Sequence, residues 1–161
     1  MRVILGVDPG SRVTGYGLVQ VQGRHISYLA SGCIRVEKLE MAQRLQTLYA
    51  ELQTIISQYH PDFAAVEQVF VGRNESSALK LGQARGVALL ALANAGLEIA
   101  EFSARSVKQA VAGSGAADKK QIQHMVTRLL KLDKTPPSDA ADALAIAMCH
   151  GFTDNPYARA L

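Results

Sequence analysis

The chain has 161 residues, 48% of them hydrophobic and 19% charged, which is enough for one domain with a proper core and too few for two ordinary ones. Its formal net charge of +3 permits a polyanionic partner without requiring one, so where the basic residues cluster matters more than how many there are. No apolar stretch reaches membrane-spanning length and the opening Met-Arg-Val-Ile-Leu-Gly-Val-Asp is too short for a secretory segment, so a cytoplasmic protein with no membrane partner is expected.

Arg2 to Asp8 is a short apolar run ending in Asp-Pro-Gly-Ser, a turn signal, and reads as a buried strand with Asp8 at its carboxyl end. Val13 to Gln22 and Arg24 to Val36 follow as strand-like segments around Gly23, which predicts a hairpin and hence an antiparallel three-strand meander. From Leu39 the apolar period becomes three and four residues, through Leu45, Leu48, Leu52, Ile55 and Tyr59. That spacing predicts an amphipathic helix stopping ahead of His60-Pro61. Asp62 to Phe70 reads as a fourth strand, nearly continuous in apolar residues and so buried on both faces. Glu67 interrupts it. An ionised carboxylate in such a strand costs on the order of several kcal/mol unless cations or donors compensate, so Glu67 marks a site, or else the strand is an edge and Glu67 is solvated.

Asn74 to Ala95 is helical by pattern and carries two rows that both look buried. Ala78, Gly82 and Gly86 form a small-residue groove at four-residue spacing, while Leu81, Ala84, Ala88 and Leu92 form an apolar row. Each glycine costs a helix interior about 1 kcal/mol relative to alanine, so a close backbone approach is the expected compensation, and a symmetric dimer through this helix is the corresponding expectation. Leu97 to Phe102 reads as a fifth strand. Ser103 caps a short helix with Arg105 and Lys108 that ends at Gly113, and Gly113-Ser114-Gly115 makes a flexible link. Asp118 and Gln121 form a capping-box pattern opening a further helix, with Lys120, His124, Arg128 and Lys131 on its outer side. Arg105, Lys108, Lys119 and Lys120 all fall around the one link, as a basic cluster suited to phosphate.

Pro136-Pro137 stops whatever precedes it, Ser138 is a good helix cap, and the mostly apolar run from Ala140 to Cys149 predicts a buried final helix with Asp139 and Asp142 in its first turn. Three residues apart, the two acids share a face, and their repulsion calls for a cation between them; two solvated acids at an ordinary helix start is the alternative. Cys33 and Cys149 lie in apolar contexts without a CxxC or His companion and read as reduced core residues, and the four histidines have no ligand spacing.

The order of elements places Asp8 on the first strand, Glu67 on the fourth and the Asp139/Asp142 pair on the last helix of an α/β mixed sheet flanked by helices. Four carboxylates with no required Cys or His make a hard oxygen site suited to Mg²⁺ or Mn²⁺. Two such ions about 3.5–4 Å apart can activate water and stabilise the leaving oxygen at a phosphodiester. Phe70, just beyond Glu67, could stack on an unpaired base, or else is ordinary core.

Gly6-Val-Asp-Pro-Gly-Ser-Arg-Val-Thr-Gly-Tyr-Gly17, Val66-Glu-Gln-Val-Phe70, Ala78-Leu-Lys-Leu-Gly-Gln-Ala-Arg-Gly86 and Asp139-Ala-Ala-Asp-Ala-Leu-Ala145 together resemble the RuvC Holliday junction resolvases, in the right order over nearly the whole chain. The resemblance implies an RNase H-like fold with a five-stranded sheet over residues 1–152, and a short tail at 153–161 that is poorer in basic residues than the family's. It also implies a homodimeric, Mg²⁺-dependent endonuclease that nicks opposed strands of a four-way DNA junction, working with the RuvA–RuvB branch-migration complex. The family's four acidic positions fall on Asp8, Glu67, Asp139 and Asp142, its lysines near the scissile phosphate on Lys108 and Lys119, and its junction-centre aromatic on Phe70. Two rivals remain at this level. The first motif also resembles the phosphate hairpin of actin-like ATPases and sugar kinases, which need two such domains; and a non-catalytic junction-binding module would not need four acids.

Overall fold

A computed structural model describes residues 1–69 and 74–153. Phe70, expected at the junction centre, and the tail from 154 onward lie outside the described residues.

The apolar runs fold as three strands, β1 (Arg2–Asp8), β2 (Val13–Gln22) and β3 (His25–Arg35), with Gly23 at φ +61° in the turn between the second and third. Helix α1 (Met41–Tyr59) follows, ending at His60 in the left-handed region just before Pro61. Strand β4 (Phe63–Glu67) and helix α2 (Glu75–Asn94) come next, then β5 (Glu98–Phe102), α3 (Ala104–Ala112), α4 (Lys119–Leu129) and α5 (Ser138–Thr153). The sheet order is β3-β2-β1-β4-β5, antiparallel through the meander and parallel from β1 to β4 to β5. This is the mixed five-stranded α/β arrangement that the sequence predicts.

Two findings correct the local expectations. Strand β4 is shorter than the run Asp62 to Phe70, and Glu67 is its last residue rather than an interruption. It is half-buried there, while the strand itself lies inside the sheet between β1 and β5, so it is not an edge either. Helix α5 begins on Ser138 itself, with the Pro137 carbonyl accepting from the Ala141 N–H at 2.8 Å, so the cap stands one residue earlier than predicted.

The core has two parts, one on each face of the sheet. Leu5, Val7, Leu18, Ala64 and Val66 meet α1 and α2 through Leu48, Leu52, Ala84, Ala88 and Leu92. On the other face Ile4, Val19, Val21 and Ala65 meet α3, α4 and above all α5, every residue of which from Ala143 to Gly151 is buried. A helix apolar all round has to be covered all round, and α5 is: sheet beneath, α3 and α4 beside it. Its approach to the sheet is unusually close because Gly6, Gly15 and Gly17 lie below it. A β-carbon at Gly6 would collide with the Ala143 carbonyl oxygen, one at Gly15 with the Asp139 carbonyl oxygen, and one at Gly17 would sit 2.7 Å from the Leu144 nitrogen. Among the described residues no helix is long and apolar enough to cross a membrane.

Candidate active site

Strand register builds the floor of the site. Asp8 pairs with Gly15, and Gly15 with Cys33, so these three form one row across the meander. On the other side Val7 pairs in parallel with Val66, which brings Asp8 and Glu67 to adjoining strand ends. Helix α5 reaches this end of the sheet with its first turn, and the missing β-carbon at Gly15 is what allows Asp139 to come down beside Asp8. Carboxylate oxygens of Asp8, Asp139 and Asp142 all lie within 4.8 Å of one another. Glu67 stands outside that trio but opens onto the same cavity of about 520 Å³, together with Lys108 from α3 and Asp118 and Lys119 from the start of α4.

The electrostatics follow from this crowding. Burial raises the Asp8 carboxyl to about 7, with the charges of Asp142, Glu67 and Asp139 adding to the rise and Lys119 opposing it. Burial also raises Glu67, helped by Asp142 and opposed by Lys108 and Lys119. Asp142 is raised by burial, with Lys119 the chief opposing charge. A group of acids that cannot all ionise comfortably is one that a hard cation would relieve, and an all-oxygen donor set matches Mg²⁺ or Mn²⁺ in softness. The residues present therefore fit a divalent ion.

Lys119 has an unusual position. It is the first residue of α4, where the helix macrodipole disfavours a cation. The helix end is held independently of it, by the capping box in which Asp118 accepts from the Gln121 N–H at 2.8 Å and Gln121 accepts from the Asp118 N–H at 2.7 Å. What Lys119 gains instead is the acidic cavity.

Residues 4–150 match the family model for the crossover junction endodeoxyribonuclease RuvC. The chain belongs to the RuvC family. It is 58% identical over 159 residues to the RuvC of Marinobacter nauticus, covering 99% of this chain and 91% of that one. It is likewise 58% identical over 154 residues to that of Vibrio cholerae, covering 96% and 89%. Among solved structures, Thermus thermophilus RuvC in complex with a Holliday junction substrate superposes with a TM-score of 0.90 at 33% identity over 98% of each chain. The yeast mitochondrial resolvase Ydc2, at 11% identity and a TM-score of 0.63, shares the fold.

Of the RuvC-like residues read from the sequence, the fold brings Asp8, Glu67, Asp139, Asp142, Lys108 and Lys119 to one cavity. Lys120 is exposed one position farther along α4. Arg105 is exposed and packs its stem on the link, where a β-carbon at Gly115 would lie 2.6 Å from its Cγ, so it does not line the cavity. Cys149 is buried and free as expected, whereas Cys33 is only half-buried, in the row of Asp8 rather than in the core. Burial raises its thiol, with the Ala140 backbone opposing.

Two residues of the site's scaffold escape sequence reading. Thr14, 1% exposed, closes the turn behind Asp8: its Oγ1 donates to the Gly10 carbonyl and accepts from the Gly10 N–H, both at 3.2 Å. Arg44 on α1 donates to three carbonyls, those of Leu39 at 2.8 Å, Ser11 at 3.0 Å and Glu37 at 3.1 Å, and so ties the β1–β2 turn to the segment before α1. Neither stands out in a single sequence, because each acts on backbone that only the fold brings to it.

Proposed function

We propose that this protein is a structure-selective endodeoxyribonuclease that resolves four-way DNA junctions by paired, symmetric nicks. The observation that carries this reading is the trio of carboxylates within 4.8 Å, in a cavity that also presents Lys108 and Lys119, in a member of the RuvC family. Asp8, Asp139 and Asp142, with Glu67 completing the set, would hold Mg²⁺ or Mn²⁺, two ions per site, which when bound supply an activated water and stabilise the leaving oxygen. Lys108 and Lys119 hold the phosphate against its repulsion by the acids and neutralise charge that develops on it. Lys120 and Arg105, outside the cavity, serve as flanking phosphate contacts, and Phe70 stacks at the junction centre.

A junction is itself nearly two-fold symmetric, so paired nicks are best served by a two-fold dimer. The outer face of α2 suits that role. Among the described residues, nothing apart from the helix's own backbone lies within 4 Å of where β-carbons would stand at Gly82 or Gly86, and Leu79 and Leu90 on the same helix are 66% and 52% exposed. Thus only one of the two rows predicted to be buried is covered by the chain itself, and the row of Ala78, Gly82 and Gly86 is left for a second copy. The protein works in the cytoplasm, alongside the RuvA–RuvB branch-migration complex.

The test is to incubate the protein with a synthetic four-way junction and with plain duplex, in Mg²⁺ or EDTA, and to map the nicks. Symmetric cuts in the junction alone, dependent on Mg²⁺, are expected; cutting of duplex at the same rate, or cutting that survives EDTA, defeats the proposal.

A further inference from the structure

Away from the acidic cavity, a second cleft of about 800 Å³ lies between β3 and the connection from α4 to α5. Ser27, Tyr28 and Ser31 of β3 line one side, and Lys131 and Lys134 the other, with Asp133 between the lysines in sequence. The Tyr28 and Ser31 hydroxyls lie 3.1 Å apart. Neither lysine forms an ion pair among the described residues. The lysine wall is held in place: Gln123 Nε2 donates to the Pro136 carbonyl at 3.2 Å, and Pro136 and Pro137 stiffen the run into α5.

Lys131 is the informative residue. Helix α4 ends in the arrangement in which the Lys131 N–H donates to the Arg128 carbonyl at 3.2 Å and the Leu132 N–H to the Thr127 carbonyl at 2.9 Å. The residue at that bend sits at φ +54°, a place that favours glycine, yet it is a lysine. The other described non-glycine residue with positive φ, His60, likewise ends a helix, its N–H donating to the Ile56 carbonyl at 2.9 Å. The bend that ends α4 thus sets a lysine, with no ion pair among the described residues, at the margin of the cleft.

The cleft is close to the acids. Ser31 precedes Cys33 by two residues and so shares its face of the sheet, and Cys33 shares a row with Gly15 and Asp8. Two strand spacings across and two residues along put the Ser31 backbone about 12 Å from that of Asp8. At about 3.4 Å per base pair along a strand, that is about three or four base pairs.

We propose that this cleft is an accessory DNA-backbone site, in which Lys131, Lys134 and the hydroxyls of Tyr28 and Ser31 hold phosphates of a junction arm a few base pairs from the cut. Ammonium and hydroxyl groups are the donors that phosphodiester oxygens use, and such contacts set register without reading sequence. The inference rests on the junction-cutting function proposed above.

The experiment measures binding of a four-way junction in EDTA across a salt series for the wild type and three variants. Lys131→Gly with Lys134→Ala should weaken binding and lower the slope of log K against log salt by about 1.8, since each duplex phosphate that is no longer neutralised takes away about 0.9. Lys131→Gly alone should weaken binding while raising the melting temperature, because the bend is relieved. Asp133→Asn should strengthen binding. An unchanged slope in the double variant, or a lower melting temperature with Lys131→Gly, overturns the proposal. Nicking by the wild type in Mg²⁺ is followed in parallel: if it cuts junctions and the slopes do not differ, the cleft fails and the function stands. If it neither cuts nor binds them, both fail.

Discussion

Glycines serve different ends at the two helices on opposite faces of the sheet, α5 and α2. Under α5, Gly6, Gly15 and Gly17 are filled by the protein itself, since a β-carbon at any of them would meet α5 backbone. On α2, Gly82 and Gly86 face open space. The same residue type therefore serves an internal approach in one case, and in the other leaves an external one available. The α5 side assembles the acids; the α2 side has the exposed leucines and the unfilled groove. The acids and the exposed row of α2 therefore lie on separate faces of the sheet, and each can be disturbed without the other.

The sharpest way to break this contrast is Gly15→Ala. Its methyl group would collide with the Asp139 carbonyl and force the first turn of α5 off the sheet, at a cost of about 3 kcal/mol or more. A melting temperature within about a degree of the wild type, with nicking intact, would show that the close approach is dispensable. Next comes Asp142→Asn, which leaves the packing alone and removes one acid: nicking of a junction should fall by about 10³-fold, roughly 4 kcal/mol of barrier, while gel-shift binding persists. Near-normal cutting would refute the assigned site.

A third measurement uses pH on the ion-free protein. Asp8 is raised from 3.8 to about 7, so between those values the folded state holds a proton that the unfolded state has released. Stability from this group is full below the lower value and is lost as pH rises through the upper one. Thermal melts in EDTA should thus fall by roughly 5 °C between about pH 5 and 8. Asp8→Asn should flatten the profile; a flat wild-type profile would contradict the crowding of the acids.

The smallest effect belongs to the α2 face. Gly82→Ala with Gly86→Ala should stabilise the helix by about 1 kcal/mol per site, because nothing obstructs the methyl groups. The same pair should weaken self-association in light scattering, because the groove is filled. Stabilisation without any change in mass would leave α2 a solvated helix and move the dimer elsewhere.

Much of this was legible in the residues alone. The β1 run with Asp8 at its end, the capping box at Asp118, the Gly113 stop and the apolar α5 are local patterns, and local hydrogen bonding and periodicity produce them wherever they occur. Glu67 was legible as a site marker but not as a strand end, because a continuous apolar run does not say where pairing stops; β5 matches β4 only as far as Glu67 with Phe102. The position of Cys33 beside the acids was invisible, since it depends on the register of two successive strand pairs.

What the sequence by itself determined was which acids exist, that Asp8 ends a strand and that Asp139 and Asp142 open a helix, because propensity, capping and turn chemistry act within a few residues. Only the tertiary structure decided that Asp8, Asp139 and Asp142 meet while Glu67 stands slightly apart, and that Arg44 and Thr14 hold the turn beneath them. Those outcomes turn on how closely one layer can lie upon another. That is set by three missing β-carbons, at glycines far along the sequence from the helix they admit.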